Sequence, residues 1–229
     1  MILAAGRGER MRPLTDATPK PLLEVRGKPL MQYHLEALQA SGWRDVVVNT
    51  AWLEEQIVAR FAADRWPGIR FSREGRDFGG ALETAGGIAR ALPLLDEAFW
   101  VVGGDVHVPG FDFSARKYTD FLESGRLAHV VLVPNPAHNT QGDFALQSDG
   151  TLTRDGAPRY TYSTVGLYRK AFFEALPAGN PEGRKIPMLP LMLSAIEHRQ
   201  MTGEIYTGPW ADVGTPQRLS ALNTAIPAQ

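Results

Sequence analysis

Met1-Ile2-Leu3-Ala4-Ala5-Gly6-Arg7-Gly8-Glu9-Arg10-Met11-Arg12-Pro13-Leu14 opens the chain and decides how the rest is read. Met1 to Ala4 has the apolar run of a short buried strand, and it passes directly into two glycines. Gly6 and Gly8 allow the backbone to turn tightly and to come close to a ligand. Amides exposed in such a turn can form a nest for phosphate oxygens. Arg7, Arg10 and Arg12 add fixed positive charge with bidentate reach. A buried strand running into a phosphate-compatible turn is how an α/β nucleotide-binding unit begins. Two familiar forms of that turn do not fit. The dinucleotide fingerprint needs a third glycine where Met11 stands, and the Gly-Lys-Ser/Thr ending of a P-loop is missing. Taken alone, the stretch also reads as a glycine turn with solvated arginines.

Outward from this loop, Thr18-Pro19-Lys20-Pro21-Leu22 sets a lysine between two prolines, in a segment expected to be extended and stiff. A pinned lysine after a phosphate loop can neutralise charge on a phosphate during transfer. Pro29 to Ser41 reads as a helix with Leu30, His34, Leu35 and Leu38 on one face and Gly42 as its stop. Asp45 to Asn49 reads as a strand, Leu53 to Ala63 as a helix, Ile69 to Ser72 as a strand, Ala85 to Leu92 as a helix and Phe99 to Val102 as a strand. This alternation predicts an α/β fold with a Rossmann-like, doubly wound, mostly parallel sheet. The second half is less regular. Strands are expected at His129–Val133, Ala145–Gln147, Tyr162–Tyr168 and Ile205-Tyr206, and helices at Lys170–Leu176, Met188–His198 and Thr215–Thr224. Ala178 to Glu182 reads as a Pro/Gly-rich loop rather than a boundary. A single domain is expected, with residues 1–110 as a nucleotide-binding half and 111–229 as a sugar-phosphate-binding half.

Composition narrows the function classes. The chain has 229 residues, 44% hydrophobic and 21% charged, with a formal net charge of −1. That balance is globular and argues against a nucleic-acid binder, which carries a basic excess. With no cysteine, disulfides, thiolate chemistry and cysteine zinc sites are excluded. No apolar run approaches the roughly 18 residues that span a bilayer. A cytoplasmic protein without membrane or nucleic-acid partners is expected, as a monomer or a small homo-oligomer.

Asp105 follows the strand Phe99–Val102 in Gly103-Gly104-Asp105. Ligands of parallel sheets bind beyond the carboxyl ends of strands, and a carboxylate there can hold Mg²⁺ against a phosphate. The same aspartate also suits a turn or a cap. Asp212, in Trp210-Ala211-Asp212-Val213-Gly214-Thr215-Pro216, stands before a cap-like Thr-Pro and admits a structural reading. Among the histidines, His34, His129 and His198 fall within or at the start of elements, where structural roles suit them. His107 is a candidate cleft residue.

Leu3-Ala4-Ala5-Gly6-x-Gly8-x-Arg10-Met11-x-Pro13-Leu14-Thr15 with Pro19-Lys20-Pro21-Leu22 resembles the signature of the sugar-phosphate nucleotidyltransferases, the NDP-sugar pyrophosphorylases. Trp210-x-Asp212-x-Gly214-Thr215-Pro216 resembles a second motif of that family. The resemblance implies that Arg10 and Lys20 hold a nucleoside triphosphate and that Asp105 and Asp212 bind the catalytic Mg²⁺. It further implies that Leu3, Ala4, Ala5, Gly6, Gly8, Glu74, Glu83, Thr84 and Gly104 line the nucleotide. Leu82-Glu83-Thr84-x-Gly86-Gly87 resembles the branch of N-acetylmuramate 1-phosphate uridylyltransferases, with Glu83 where relatives carry glycine. Glu74 then becomes a candidate acceptor for the uracil N3–H. Gly86 and Gly87 serve equally well to bring a helix close to the sheet. Asn135-Pro136-x-His138 and Gly142-Asp143-Phe144 resemble the same branch. Asp143, Thr164 (within Thr164-Val165-Gly166-Leu167-Tyr168) and Lys185 become candidate sugar-phosphate contacts, with a turn aspartate and a solvated basic pair as the alternatives for Asp143 and Arg184-Lys185. The implied reaction joins UTP and N-acetylmuramate 1-phosphate into UDP-N-acetylmuramate and pyrophosphate, as in peptidoglycan recycling. Transferases using dTTP, GTP or CTP with hexose, heptose or choline phosphates share the scaffold, as would a non-catalytic sugar-nucleotide-binding domain.

Overall fold

The structure, a computed structural model, describes residues 1–62, 64–177 and 179–224. The expected helix end at Ala63 and the first residue of the loop at Ala178 lie outside them. The first half alternates as the sequence predicts: β1 (Ile2–Ala4), α1 (Leu14–Ala17), a small hairpin of β2 (Glu24–Val25) and β3 (Lys28–Pro29), α2 (Leu30–Ala40), β4 (Val46–Thr50), α3 (Glu54–Arg60), β5 (Ile69–Arg73), α4 (Glu74–Phe78), α5 (Glu83–Ala91) and β6 (Ala98–Gly103). There follow β7 (Val106–His107), α6 (Ala115–Glu123), β8 (Ala128–Val133), β9 (Phe144–Leu146), β10 (Leu152–Thr153), β11 (Arg159–Arg169), α7 (Leu189–Glu197), β12 (Met201–Ile205), β13 (Ala211–Asp212) and α8 (Pro216–Thr224).

Strands β5, β4, β1 and β6 lie side by side and parallel. The chain runs from β1 outward through β4 and β5, then returns to place β6 on the other side of β1. That reversal is the topological switch point where α/β sheets form a crevice beyond their carboxyl ends. Alternation along the strands sends successive side chains to opposite faces. Ile2, Ala4, Val46, Val48, Trp100 and Val102 pack on one face with Met31, Leu35 and Leu38 of α2 and Ile57 of α3. Met1, Val47, Phe99 and Val101 pack on the other with Ala85, Ile88 and Ala91 of α5 and Met192 and Ala195 of α7. Each fully buried Val, Leu, Ile, Phe or Met side chain contributes about 1.5–3 kcal/mol, so each helical layer is held by its own alternate set of strand positions.

Beyond β6 the sheet changes character. β11 runs antiparallel to β6 and to β8, and β12 pairs parallel with β8. The β8–β11 register shifts between Tyr162 and Gly166. Within that interruption Thr164 takes φ 63, a left-handed conformation that a β-branched residue adopts only at a cost.

Several expectations are corrected. Lys170–Leu176 is not a full helix: only Lys170–Phe173 winds, as a single 3₁₀ turn, because Phe172 and Phe173 are drawn into the core against Tyr168. Lys20 is not extended. Pro19 is, but Lys20–Leu22 forms a 3₁₀ turn closed by Leu22 N–H to Pro19 C=O, a geometry the fixed φ of Pro21 accepts. The strand expected at Ile205-Tyr206 is Met201–Ile205, which ends where that expectation begins, and a further short strand follows at Ala211–Asp212. α6 was not expected, because its sequence Ala-Arg-Lys-Tyr-Thr-Asp-Phe-Leu-Glu is polar and Phe121 alone is buried. Ser114 caps it by accepting from Lys117 N–H at 3.4 Å. No helix among the described residues is long and apolar enough to cross a membrane.

Candidate active site

A cleft of about 270 Å³ opens over the switch point, lined by Leu3, Ala4, Ala5 and Gly6 from the end of β1 and by Gly103 and Asp105 from the end of β6. Lys20, Asn49, Ala81, Glu83, Thr84 and Thr164 complete its wall. An adjoining hollow of about 240 Å³ shares Gly6, Lys20 and Asp105 and adds Gly8, Arg10 and Gly214. Most of the residues singled out from the sequence therefore converge on one continuous surface, although they come from five separate segments.

The glycine loop is held from outside. Arg7 stands over the Trp52 indole, its Cζ 3.7 Å from the ring centroid, donates to Thr15 C=O at 2.9 Å and pairs with Asp16. Trp52 Nε1 donates to the same carbonyl at 2.8 Å, and Arg12 also pairs with Asp16. Two of the three arginines are thus structural braces. Arg10 has no ion-pair partner among the described residues and faces the smaller hollow. Gly8 sits at φ 69 with the Thr15 methyl 3.0 Å from where a Cβ would be, so both conformation and space demand glycine. A Cβ on Gly6 would meet no protein atom within 4 Å, so its missing side chain leaves room for something other than protein.

Lys20 is buried, and its Nζ donates to Asp105 Oδ2 at 2.7 Å. The second carboxylate arrives from the far end of the chain. β13 pairs antiparallel with β7, bringing Asp212 opposite Val106, and Val213 N–H donates to Asp105 C=O at 2.9 Å. Helix α8 anchors this strand by packing Leu219, with Val213, against Met11, Leu23, Val25 and Leu30. Asp212 is bracketed by Arg218 Nη1, 2.7 and 2.6 Å from its two oxygens, and by His138 Nε2 at 2.9 Å. Beneath Asp105, His34 donates its Nε2–H to Val106 C=O at 2.9 Å, and burial holds its imidazole down at about 4. Among the described residues no group of three His, Cys, Asp or Glu side chains could hold a metal ion. Asp105 and Asp212, which the β7–β13 pairing brings to neighbouring stretches of chain, both carry hard oxygen donors, the kind of ligand taken by a dication that completes its shell with water and substrate oxygens.

Other residues fall elsewhere. Glu74 is fully buried under the cleft rather than in its lining: it accepts from Asn49 Nδ2 at 2.7 Å and from Leu82 N–H at 2.8 Å. Burial pushes its carboxyl above the ordinary range, against the pull of those two bonds. Asn49 in turn accepts from Ala4 N–H at 2.9 Å, so one buried relay ties β1, β4 and the segment before α5 together. Gly87 packs onto this relay, since a Cβ there would stand 2.5 Å from Glu74 Oε1, and Gly86 would meet Arg184 C=O at 2.5 Å. Both glycines therefore serve close packing. Gly104 is pressed against Leu3 C=O and does not line the cleft. Asp143 accepts from Tyr162 N–H at 2.8 Å as a turn brace, and Lys185 is exposed beside the strand-like contact of Ile186 with Leu82. His107 is buried edge-on against Tyr33. Glu83 enters α5 at φ 59 and is exposed at the cleft mouth with Thr84. Sequence reasoning did not assign roles to Asn49 or Arg218. Asn49 is a polar residue at the end of an apolar strand, which is a signal for it, whereas Arg218 carries no local signal.

Residues 1–154 match the family model described as Nucleotidyl transferase. The chain is 44% identical, over 96% of its length and 94% of the relative's, to an N-acetylmuramate alpha-1-phosphate uridylyltransferase of Neisseria meningitidis. It is 32% identical, over 99% of its length and 96% of the relative's, to a protein of the same name from Caulobacter vibrioides. Its fold matches the crystal structure of HddC from Yersinia pseudotuberculosis complexed with GMP-PN with a TM-score of 0.69, covering 97% of this chain and 96% of that one at 19% identity.

Proposed function

The chain belongs to the nucleotidyl transferase family, and from that premise we propose that it is a Mg²⁺-dependent uridylyltransferase that joins UTP and N-acetylmuramate 1-phosphate into UDP-N-acetylmuramate and pyrophosphate. Two relatives that bear this activity in their names, each aligned over nearly the whole of both chains, support the choice of sugar and base. The observation that carries the chemistry is the Lys20–Asp105 contact of 2.7 Å, which places a buried cation and a carboxylate where the two hollows meet.

A phosphate oxygen of the sugar 1-phosphate attacks the α-phosphorus of the triphosphate. The bond from that phosphorus to the bridging oxygen breaks, and pyrophosphate leaves with the electron pair. The nucleophile is already an anion near neutral pH, so no general base is needed, and catalysis consists of alignment and charge neutralisation. Gly6 and Gly8 admit the phosphates to the backbone amides. Arg10 holds the departing pyrophosphate, and Lys20 offsets charge at the α-phosphate. Asp105 and Asp212 hold Mg²⁺, which when bound supplies Lewis acidity and orientation for phosphate oxygens. Glu83 and Thr84 face the nucleoside, and Thr164 narrows the sugar end. The reaction takes place in the cytoplasm.

Pyrophosphate release with Mg²⁺, tested over the four triphosphates and a panel of sugar phosphates, checks the reading. Rapid release only with UTP and N-acetylmuramate 1-phosphate is expected, falling by about 10³-fold in Asp105→Ala. Release with another pair would overturn the assigned substrates, and none with any pair from folded protein would overturn the activity.

A further inference from the structure

Each of the two carboxylates is already matched to a cation of its own. Lys20 occupies Asp105, and Arg218, in the first turn of α8, occupies Asp212 with one nitrogen within 2.7 Å of both carboxylate oxygens. His138 takes a further position on Oδ1. The place is built for this contact. A Cβ on Gly214 would lie 2.6 Å from Arg218 Nη1, 2.8 Å from Asp212 Oδ2 and 3.5 Å from Arg10 Nη1, so glycine is what lets two guanidinium groups and a carboxylate meet. Gly214 itself lines the hollow that holds Gly6, Gly8, Arg10 and Lys20. Arg218 is thus the neighbour of a residue that lines that hollow.

Without a dication the Lys20–Asp105 and Arg218–Asp212 pairs are each self-neutral, and Arg10 alone is unmatched among the five charges. Arg10 already faces the hollow, but Lys20 and Arg218 can turn to phosphate only if the two carboxylates are satisfied by another charge. We propose that Arg218 is a latch on the metal site: it keeps Asp212 closed to free divalent cations and exchanges that carboxylate for a phosphate oxygen when the cation arrives with the triphosphate. Arg218 is thus a positioning residue that couples metal binding to nucleotide binding, an inference that rests on Asp105 and Asp212 being the metal ligands.

Binding of Mn²⁺ to the full chain without nucleotide, followed by the loss of the free-ion electron paramagnetic resonance signal, tests it, beside calorimetric titration with Mn²⁺–UTP in the absence of sugar phosphate. Breaking a largely buried ion pair of this kind is expected to tighten Mn²⁺ binding about fivefold in Arg218→Gln and to weaken Mn²⁺–UTP by about tenfold. A brace that merely props Asp212 would weaken both, so Mn²⁺ affinity unchanged or reduced in Arg218→Gln overturns the latch. If that variant melts below the assay temperature, Arg218→Lys, which keeps the charge but loses the fork, should still tighten Mn²⁺ about twofold, and no tightening overturns the proposal. Asp212→Ala separates the premise from the inference. Loss of Mn²⁺ binding there leaves the metal site standing whatever Arg218 does, while unchanged binding refutes the metal site and the latch together.

Discussion

Replacing Glu74 by glutamine changes one atom in a fully buried relay, and the direction of every bond in that relay is set. Ala4 N–H donates to Asn49 Oδ1, which turns the Asn49 amide so that Nδ2 must find an acceptor in Glu74 Oε1. Leu82 N–H requires the other oxygen. Two acceptors are needed, which a carboxylate supplies and an amide cannot. In Glu74→Gln the new amide nitrogen faces a donor whichever way it is turned, and flipping Asn49 only moves the conflict to Ala4. One bond to a charged group, about 1.5–3 kcal/mol, is lost, and at least one buried N–H is left unpaired at a further 1–3 kcal/mol or so. The neutral amide escapes the desolvation that raises the Glu74 carboxyl, which returns part of that loss. A net destabilisation of about 2–3 kcal/mol is expected, or roughly 5–10 °C in Tm for a chain of this length. Thermal and urea melts of Glu74→Gln, Asn49→Ala and the double variant measure it, and the cycle should show coupling of about 1 kcal/mol or more. The KM for the triphosphate should rise with kcat little changed, because the floor of the cleft shifts while the cations stay. If Glu74→Gln melts within about 1 °C of the parent yet loses discrimination among the triphosphates, the carboxylate faces the base and the relay argument is wrong.

Two further outcomes follow from groups near the cleft. Burial lowers the His34 imidazole from 6.5 to about 4, so the unfolded chain takes up a proton over a range in which the native protein does not. The stability involved is complete above 6.5 and is lost as the pH falls toward 4, with about 2 kcal/mol gone near pH 5. Urea melts across this range should show that slope, and His34→Asn, which retains a donor, should flatten it. Thr164→Gly relieves a left-handed β-branched residue whose buried Oγ1 has no partner among the described residues. A gain of about 1 kcal/mol is expected by thermal melting after the entropy of the new glycine is subtracted. Sugar-phosphate selectivity should fall at the same time, and a lower Tm would contradict the strain.

The sequence by itself determined the parallel half of the fold and the residues that bring charge to it. Apolar runs alternating with amphipathic stretches specify element type and buried face locally, and Gly6, Arg10, Lys20, Asp105 and Asp212 stand in or beside turns whose chemistry is local too. Tertiary structure decided what each charge meets. Arg7 and Arg12 look equal to Arg10 in the sequence, yet Trp52 and Asp16 claim them and leave Arg10 facing the hollow. Glu74 reads as an acceptor for the base, and only its burial against Asn49 and Leu82 places it under the floor. The antiparallel placement of β11 and the pairing of Asp212 with Arg218 and His138 were equally out of reach. Such partners lie far apart along the chain, and the packing that joins them leaves no periodicity in the residues between.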